Sequence, residues 1–421
     1  MNLVKTYRSY RRLMKSQWLS SRELKQIQRR ALTRLTARAF ENVPYYRGFF
    51  HRTHGASQTI CSLGDLKTIP VTAKRDLLSM SMESRMDRTS CMKELVAEQT
   101  SGSTGSPFTV LFDREYITGR NARFLRALET AGYRFGQRLL LITSAKKRTS
   151  SQRFLGWRYV SIEEPVESLI AHLNDFRPQV LYGCTTPLRQ VAAFIRRKGP
   201  KVHLPGLVIS TAEMLDMPTR KYLEETLNAE LFDFYGMTEM GLVGWECSQH
   251  NGYHLGAESV VTEYEPMVNG GAFKLVMTNL ELTSMPFIRY ETGDMGIPGG
   301  PEPCRCGRSL PLLKCVEGRV LDCVRLKDGR VISPYQITCR LEKLKGIQRY
   351  QVIQNDYNDF TVKIEPRRPA TQVSERGIHN VLTGILGDAV KVEIEQDGQI
   401  GASPGRKFRV VESKLCEEFW H

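Results

Sequence analysis

In the first forty residues apolar side chains recur at helical intervals. Leu13, Met14, Trp18, Leu24, Ile27, Leu32 and Leu35 fall toward one side while lysines and arginines occupy the other, so an amphipathic helical segment is predicted over 1–40 with those seven residues turned inward. Asn42-Val43-Pro44-Tyr45-Tyr46 reads as a loop, Ser62-Leu63-Gly64-Asp65-Leu66 as a helix entry, and 69–74 as a further cap before another helix. After Val96 the texture changes to short β-rich runs, and 109–112, 139–142, 180–182, 207–210 and 231–234 are predicted strands. Helical periodicity fills 115–131 and 187–197 between them. Strands alternating with helices at this spacing predict an α/β sheet covered on both faces.

The run 271–285 is more continuously β, centred on Phe273-Lys274-Leu275-Val276-Met277, and a Pro/Gly-rich stretch over 297–303 leads into a group of cysteines. Past Gly318 the pattern changes again. Strands at 350–353 and 361–365 flank the turn Asn355-Asp356-Tyr357-Asn358-Asp359, and a helix over 373–386 and a strand over 390–394 follow. The chain is therefore expected to divide near Val320 into an N-terminal α/β domain, 1–319, and a smaller α+β domain, 320–421.

Composition narrows the function classes. With 41% hydrophobic and 25% charged residues in 421, the chain has an ordinary globular make-up. No run approaches the roughly 18–20 apolar residues of a spanning helix, and the basic N-terminus lacks an apolar leader core, so a soluble cytoplasmic protein is expected. The formal charge is +15, but residues 1–40 contain eleven Lys or Arg and one acid, Glu23, and thus carry +10 of it. So local a concentration argues against a protein that coats nucleic acid; it reads as a solvated helix face or a footprint for something acidic. Ten cysteines are too sparse for a disulfide framework, and the grouping of Cys304, Cys306, Cys315 and Cys323 points to a metal instead.

Four runs can carry chemistry. Thr100-Ser101-Gly102-Ser103-Thr104-Gly105-Ser106-Pro107 precedes a strand, and its glycines and hydroxyls can wrap phosphate oxygens or form an ordinary turn. Tyr235-Gly236-Met237-Thr238-Glu239 follows a strand ending at Phe234; a hydroxyl beside a carboxylate suits hydrated Mg2+, and equally suits a helix N-cap at Thr238. Asp294, at the end of Arg289-Tyr290-Glu291-Thr292-Gly293-Asp294, together with Arg319 of Gly318-Arg319, suits the vicinal hydroxyls of a ribose. Separately, Cys304-x-Cys306 with Cys247 and His254 supplies a Cys3His set for tetrahedral Zn2+, with Cys315 as an alternative ligand and buried free thiols as the other reading.

In this order the runs resemble the adenylate-forming superfamily of acyl-CoA synthetases, peptide-synthetase adenylation domains and luciferases. More narrowly they are similar to its phenylacetate-CoA ligase-like and capsular-polysaccharide-biosynthesis branch. The similarity spans nearly the whole chain, from Val43-Pro44-Tyr45-Tyr46 through Met285-Pro286-Phe287-Ile288-Arg289-Tyr290 and Cys304-Arg305-Cys306-Gly307-Arg308 to Gly318-Arg319. The resemblance implies a large N-terminal α/β multi-sheet domain with a small mobile α+β C-terminal domain. It also implies a two-step reaction in which a carboxylic acid attacks the α-phosphate of ATP, and the acyl-adenylate then passes to a thiol, most often coenzyme A. Ser101, Gly102, Ser103, Thr104 and Gly105 would hold the β and γ phosphates. The run Ser210-Thr211-Ala212-Glu213, with Tyr235 and Gly236, would line the adenine. Thr238 would contact the α-phosphate and Glu239 would hold Mg2+, while Asp294 and Arg319 would bind the ribose. Lys407, in Ser403-Pro404-Gly405-Arg406-Lys407, would be the adenylation lysine, and the zinc would be structural.

Three departures qualify this picture. Ser106 stands where a lysine often follows the glycine loop, and Arg406 replaces the usual glycine before the lysine. Leu321 stands at the hinge position where the family has a carboxylate, with Asp322 one residue on. They leave room for other outcomes: adenylation for a carrier-protein thiol, an amine or a sugar, or a catalytically lapsed binding protein. A homodimer is compatible with all of them. No Gly-x-Ser-x-Gly elbow occurs, and adenylate chemistry needs no protein nucleophile.

Overall fold

A computed structural model describes residues 3–48, 60, 62–100, 108–144, 156–199, 201–267, 272–366, 374–396, 400 and 408–415. The basic N-terminal segment forms two helices, α1 (Leu3–Ser16) and α2 (Ser21–Asn42). They are separated because Ser20 caps α2: its side chain accepts from the Glu23 backbone N–H while the Glu23 carboxylate accepts from the Ser20 N–H at 2.8 Å. Leu13, Leu24, Leu32 and Leu35 are buried as expected, but Trp18 is 51% exposed, because the break places it in the turn and not on the inward stripe. Leu32 sits in a core with Tyr46, Leu66 and Ile288. Leu32→Ala should therefore lower unfolding free energy by about 3 kcal/mol in denaturant titration, with turnover of the folded fraction unchanged.

Two short strands, β1 (Val96–Gln99) and β2 (Thr109–Phe112), form an antiparallel hairpin. The large sheet then begins with β3 (Leu139–Thr143), β4 (Trp157–Ser161), β5 (Val180–Cys184), β6 (Leu207–Thr211) and β7 (Glu230–Met237). These five are mutually parallel, in the order β7-β6-β5-β3-β4. Their near-continuous apolar composition follows from burial on both faces. Helix Arg114–Thr130 and α1 cover one face, around Leu139, Ile209 and Phe232. Helices Val166–Phe176, Thr185–Lys198 and Met217–Leu227 cover the other, around Leu140, Leu181 and Val208.

At β7 the sheet changes character. β8 (Gly241–Trp245), β9 (Tyr253–Leu255), β10 (Val260–Pro266), β11 (Phe273–Asn279), β12 (Tyr290–Pro298) and β13 (Leu312–Arg319) continue it antiparallel, completing eleven strands in the order β10-β11-β12-β13-β9-β8-β7-β6-β5-β3-β4. β13 closes the sheet against β9, so strands distant in sequence become neighbours.

After Arg319 the chain leaves this sheet. β14 (Val324–Arg325) pairs with β15 (Val331–Ile332), and helix Pro334–Leu341 follows. β16 (Ile347–Asp356), β17 (Asp359–Pro366), β18 (Lys391–Gln396) and β19 (Val411–Ser413) form a separate sheet in the order β18-β17-β16-β19. The expected hairpin is β16–β17, and helix Glu375–Leu386 packs on it through Ile378, Leu382 and Ile385 around Val352, Phe360 and Ile364. Among the described residues no helix is long and apolar enough to cross a membrane.

Candidate functional site

The run Tyr235 to Glu239 does not start a helix. β7 continues to Met237, and Thr238, Glu239 and Met240 form the turn that leads into β8, with Met237 paired to Gly241. The N-cap alternative for Thr238 is thereby replaced by a hairpin turn. Gly236 is needed for this close pairing, since a Cβ there would lie 2.6 Å from the Gly241 carbonyl oxygen.

The turn holds Glu239 where other segments converge. Glu239 is 6% exposed; its carboxylate accepts from the Tyr290 hydroxyl at 2.9 Å and its backbone carbonyl from Asn279 Nδ2 at 2.9 Å. Tyr290 opens β12, and four residues on Asp294 faces Arg319 of β13 in direct register. Arg319 Nε lies 3.7 Å from Asp294, whose other oxygen accepts from the Tyr235 hydroxyl at 2.8 Å. Burial and the adjacent carboxylates raise both phenols well above their ordinary range, so each stays a neutral donor. Gly318, at φ +107°, lets the strand turn beneath Arg319.

The sequence reading missed Lys74. Thr72 donates its N–H to the Arg289 carbonyl at 2.8 Å and accepts from the Glu291 N–H at 3.0 Å, which docks its segment beside Tyr290. Lys74 begins the next helix, feels both Glu239 and Arg319 electrostatically, and is shifted down mainly by burial. Its Nζ lies 3.4 Å from Thr100 Oγ1. Thr100 and Phe108 close the β1–β2 loop through two hydrogen bonds, of 2.9 and 3.0 Å. Lys74 thus supplies a cation at the base of the loop in which Ser106 carries none. Ser101, Gly102, Ser103, Thr104, Gly105 and Ser106, and also Arg406 and Lys407, lie outside the described residues.

At the end of β6, Thr211 Oγ1 donates to the Phe234 carbonyl at 3.0 Å, and Ala212 turns the chain at φ +65°. Glu213 then accepts from the Thr186 N–H at 2.6 Å, at the start of the neighbouring helix. Next to this wall is a second residue that was missed, Asp233, which is 5% exposed and receives the Tyr253 hydroxyl at 2.6 Å. Burial, with Glu246 nearby, pushes its carboxyl up to about 7. The clue available in the sequence was a lone acid interrupting Leu231-Phe232-Asp233-Phe234-Tyr235.

Leu321 stands at the expected hinge position, and the next residue is the carboxylate Asp322. Asp322 is 8% exposed, lies 3.1 Å from Arg409 Nη1, and is pushed up by burial to about 6. An ion pair therefore links the end of the large sheet to the segment that precedes β19.

Away from this cleft, Cys247, His254, Cys304 and Cys306 bring their four donor atoms within 4.8 Å of one another. Cys247 follows β8, His254 lies on β9, and the other two occupy the connection between β12 and β13. The Cys247 and Cys304 sulfurs are 3.7 Å apart, too far for a disulfide. Burial lowers His254 to about 4, so its imidazole is neutral and able to ligate. Cys315 is on β13 opposite Ile297 and is not in this group. The adjoining backbone is fastened to the N-terminal helices: the Ser309 N–H donates to the Gln17 carbonyl at 2.9 Å, and Arg308 Nε to Gln17 Oε1 at 2.9 Å.

Residues 324–414 match the CapK C-terminal domain family. The chain is 26% identical to the phenylacetate-coenzyme A ligase of Thermus thermophilus, over 94% of this chain and 91% of that protein. It is 20% identical to Protein CapK of Staphylococcus aureus, over 76% and 74% respectively. The crystal structure of 2-hydroxyisobutyryl-CoA ligase in the postadenylation state, in complex with R3-HIB-AMP, shares its fold with a TM-score of 0.79 at 19% identity, covering 94% of this chain and 91% of that one. The chain is thus similar over most of its length to phenylacetate-coenzyme A ligases, carries a match to the CapK C-terminal domain over residues 324–414, and shares the fold of an adenylate-forming CoA ligase.

Proposed function

We propose that this protein is an AMP-forming acid–thiol ligase, activating a small carboxylic acid with ATP and passing the acyl group to coenzyme A. The observation that carries this reading is the convergence of Lys74, Glu239, Tyr290, Asp294 and Arg319, from segments spread over 245 residues, into one charged cluster. Two carboxylates and two cations so placed match a nucleoside triphosphate with its metal. The ribose hydroxyls would bind Asp294 and Arg319, and the adenine would lie between Tyr235 and the Thr211-Ala212-Glu213 turn, with the Asp233 carboxyl close to the base. The glycine loop Ser101–Gly105 would wrap the outer phosphates, aided by Lys74. Mg2+ held by Glu239 would neutralise phosphate charge.

Attack of the acid's carboxylate on the α-phosphorus forms the mixed anhydride and expels pyrophosphate. Charge grows on the phosphoryl oxygens in that step, and Thr238 and Lys407 would meet it with preplaced donors. The thiol then attacks the acyl carbon and AMP leaves. The cysteine–histidine group would hold a structural Zn2+, which ties the β8–β9 hairpin to the β12–β13 connection and does no acyl chemistry.

The reading is tested by ATP–pyrophosphate exchange with aryl and short-chain acids, with mass detection of both adenylate and thioester. Acid-dependent exchange is expected; silence across the panel together with no ATP binding would overturn it in favour of a lapsed homologue. Lys407→Ala should slow exchange by about 100-fold with ATP affinity within a few-fold, since the lysine acts on charge that develops in the transition state. An unchanged rate would remove that assignment.

A further inference from the structure

The N-terminal helices present a surface that the adenylation cleft does not use. Nine cations, Arg8, Arg11, Arg12, Lys15, Arg22, Lys25, Arg29, Arg30 and Arg34, are exposed, and none forms an ion pair with another described residue. Arg38 is different, being paired with Asp87. Large apolar side chains stand among these cations: Val4 is 62% exposed, Tyr7 54%, Trp18 51% and Leu3 41%. At 100° per residue Val4, Tyr7, Arg8, Arg11 and Lys15 share one outward arc of α1, opposite the buried Thr6, Tyr10 and Leu13. Trp18 carries the Arg308 guanidinium over its ring at 5.2 Å. On α2 an open depression is lined by Ser21, Arg22, Lys25, Gln26 and Arg29.

We propose that this face docks the protein peripherally on an anionic lipid surface. Cations alone would fit any polyanion. The apolar side chains select among them, because aliphatic and aromatic groups interspersed with arginine gain free energy by entering the boundary between headgroups and acyl chains while the cations neutralise lipid phosphates. A nucleic-acid backbone offers no place for Val4. Docked this way the helices lie flat on the bilayer and no segment crosses it. The inner core of the helices, at Leu13, Leu24 and Leu32, stays in the protein, so docking requires no unfolding.

The test is co-sedimentation of the full chain with phosphatidylcholine vesicles, with and without one third phosphatidylglycerol, across a salt series. Binding is expected only to the anionic vesicles, to fall steeply between low and high salt, and to shift Trp18 emission to the blue. Arg8→Glu/Arg11→Glu/Lys15→Glu should weaken partitioning by about 100-fold, and Val4→Ser/Tyr7→Ser by about tenfold. ATP–pyrophosphate exchange should be unchanged in both, which separates this proposal from the adenylation reading and shows that the variants fold. Equal binding to neutral vesicles, or no binding to anionic ones, would overturn it. So would a Val4→Ser/Tyr7→Ser variant that partitions like the parent, particularly if a DNA duplex competed, since that would make the face a polyanion site.

Discussion

Glu239→Gln should reduce ATP–pyrophosphate exchange by about 100- to 1,000-fold while leaving the fold intact. Glutamine keeps the shape of the side chain and an oxygen able to accept from Tyr290, so the local packing survives. The lost feature is the negative charge. Glu239 sits 6% exposed beside Lys74 in the cleft, where a charge acts with less screening than at the surface. In the proposed mechanism that charge holds Mg2+ on the triphosphate, so the Mg2+ concentration needed for half-maximal exchange should rise in step with the fall in rate. Tyr290→Phe is the paired control. It removes only the 2.9 Å hydrogen bond that orients the carboxylate and should cost about tenfold. A Glu239→Gln protein exchanging within threefold of the parent would show that the carboxylate serves the turn between β7 and β8 and not the nucleotide.

Removal of zinc should have the largest effect on stability. Elemental analysis is expected to find about one zinc per chain, lost in Cys304→Ser, with a destabilisation of ~4 kcal/mol that lowers the melting temperature by about 5 °C. The physical reason is that three thiolates packed with a neutral imidazole within 4.8 Å repel one another, and only a cation turns that repulsion into cohesion. Without it burial raises Cys247 to about 12, which keeps that thiol protonated. Loss should propagate to the N-terminal helices through Gln17 and Arg308, so proteolysis near the α1–α2 turn should accelerate. A metal-free parent with an unaltered melting temperature in Cys304→Ser would leave three unliganded thiols and a neutral imidazole and no metal site.

Strands β3, β5, β6 and β7 were legible in the sequence because parallel strands buried on both faces are nearly continuous apolar runs. The same held for the β16–β17 hairpin, marked by its turn residues. β4, β8, β9 and β13 were not. Each is short, half-buried or rich in glycine and charge, and its strand character comes from pairing with partners far away, such as Leu312 with His254. Trp18 was misplaced because periodicity assumes one uninterrupted helix, and the Ser20–Glu23 cap divides it. The turn at Thr238 was misread as a possible helix start because a hydroxyl followed by a carboxylate is common to both.

Sequence order was enough for the superfamily resemblance, the candidate nucleotide residues and the four zinc-ligating candidates, since these depend on residue types at short spacing. Folding supplied what spacing cannot encode. It showed that Asp294 and Arg319 are direct neighbours on adjacent strands, that Lys74 joins Glu239 from a segment 165 residues earlier, that Asp322 meets Arg409, and that Val4 and Tyr7 of α1 are exposed. Those relations arise from strand pairing and helix packing between remote segments. A chain read one residue at a time carries no distance between them until the sheet closes.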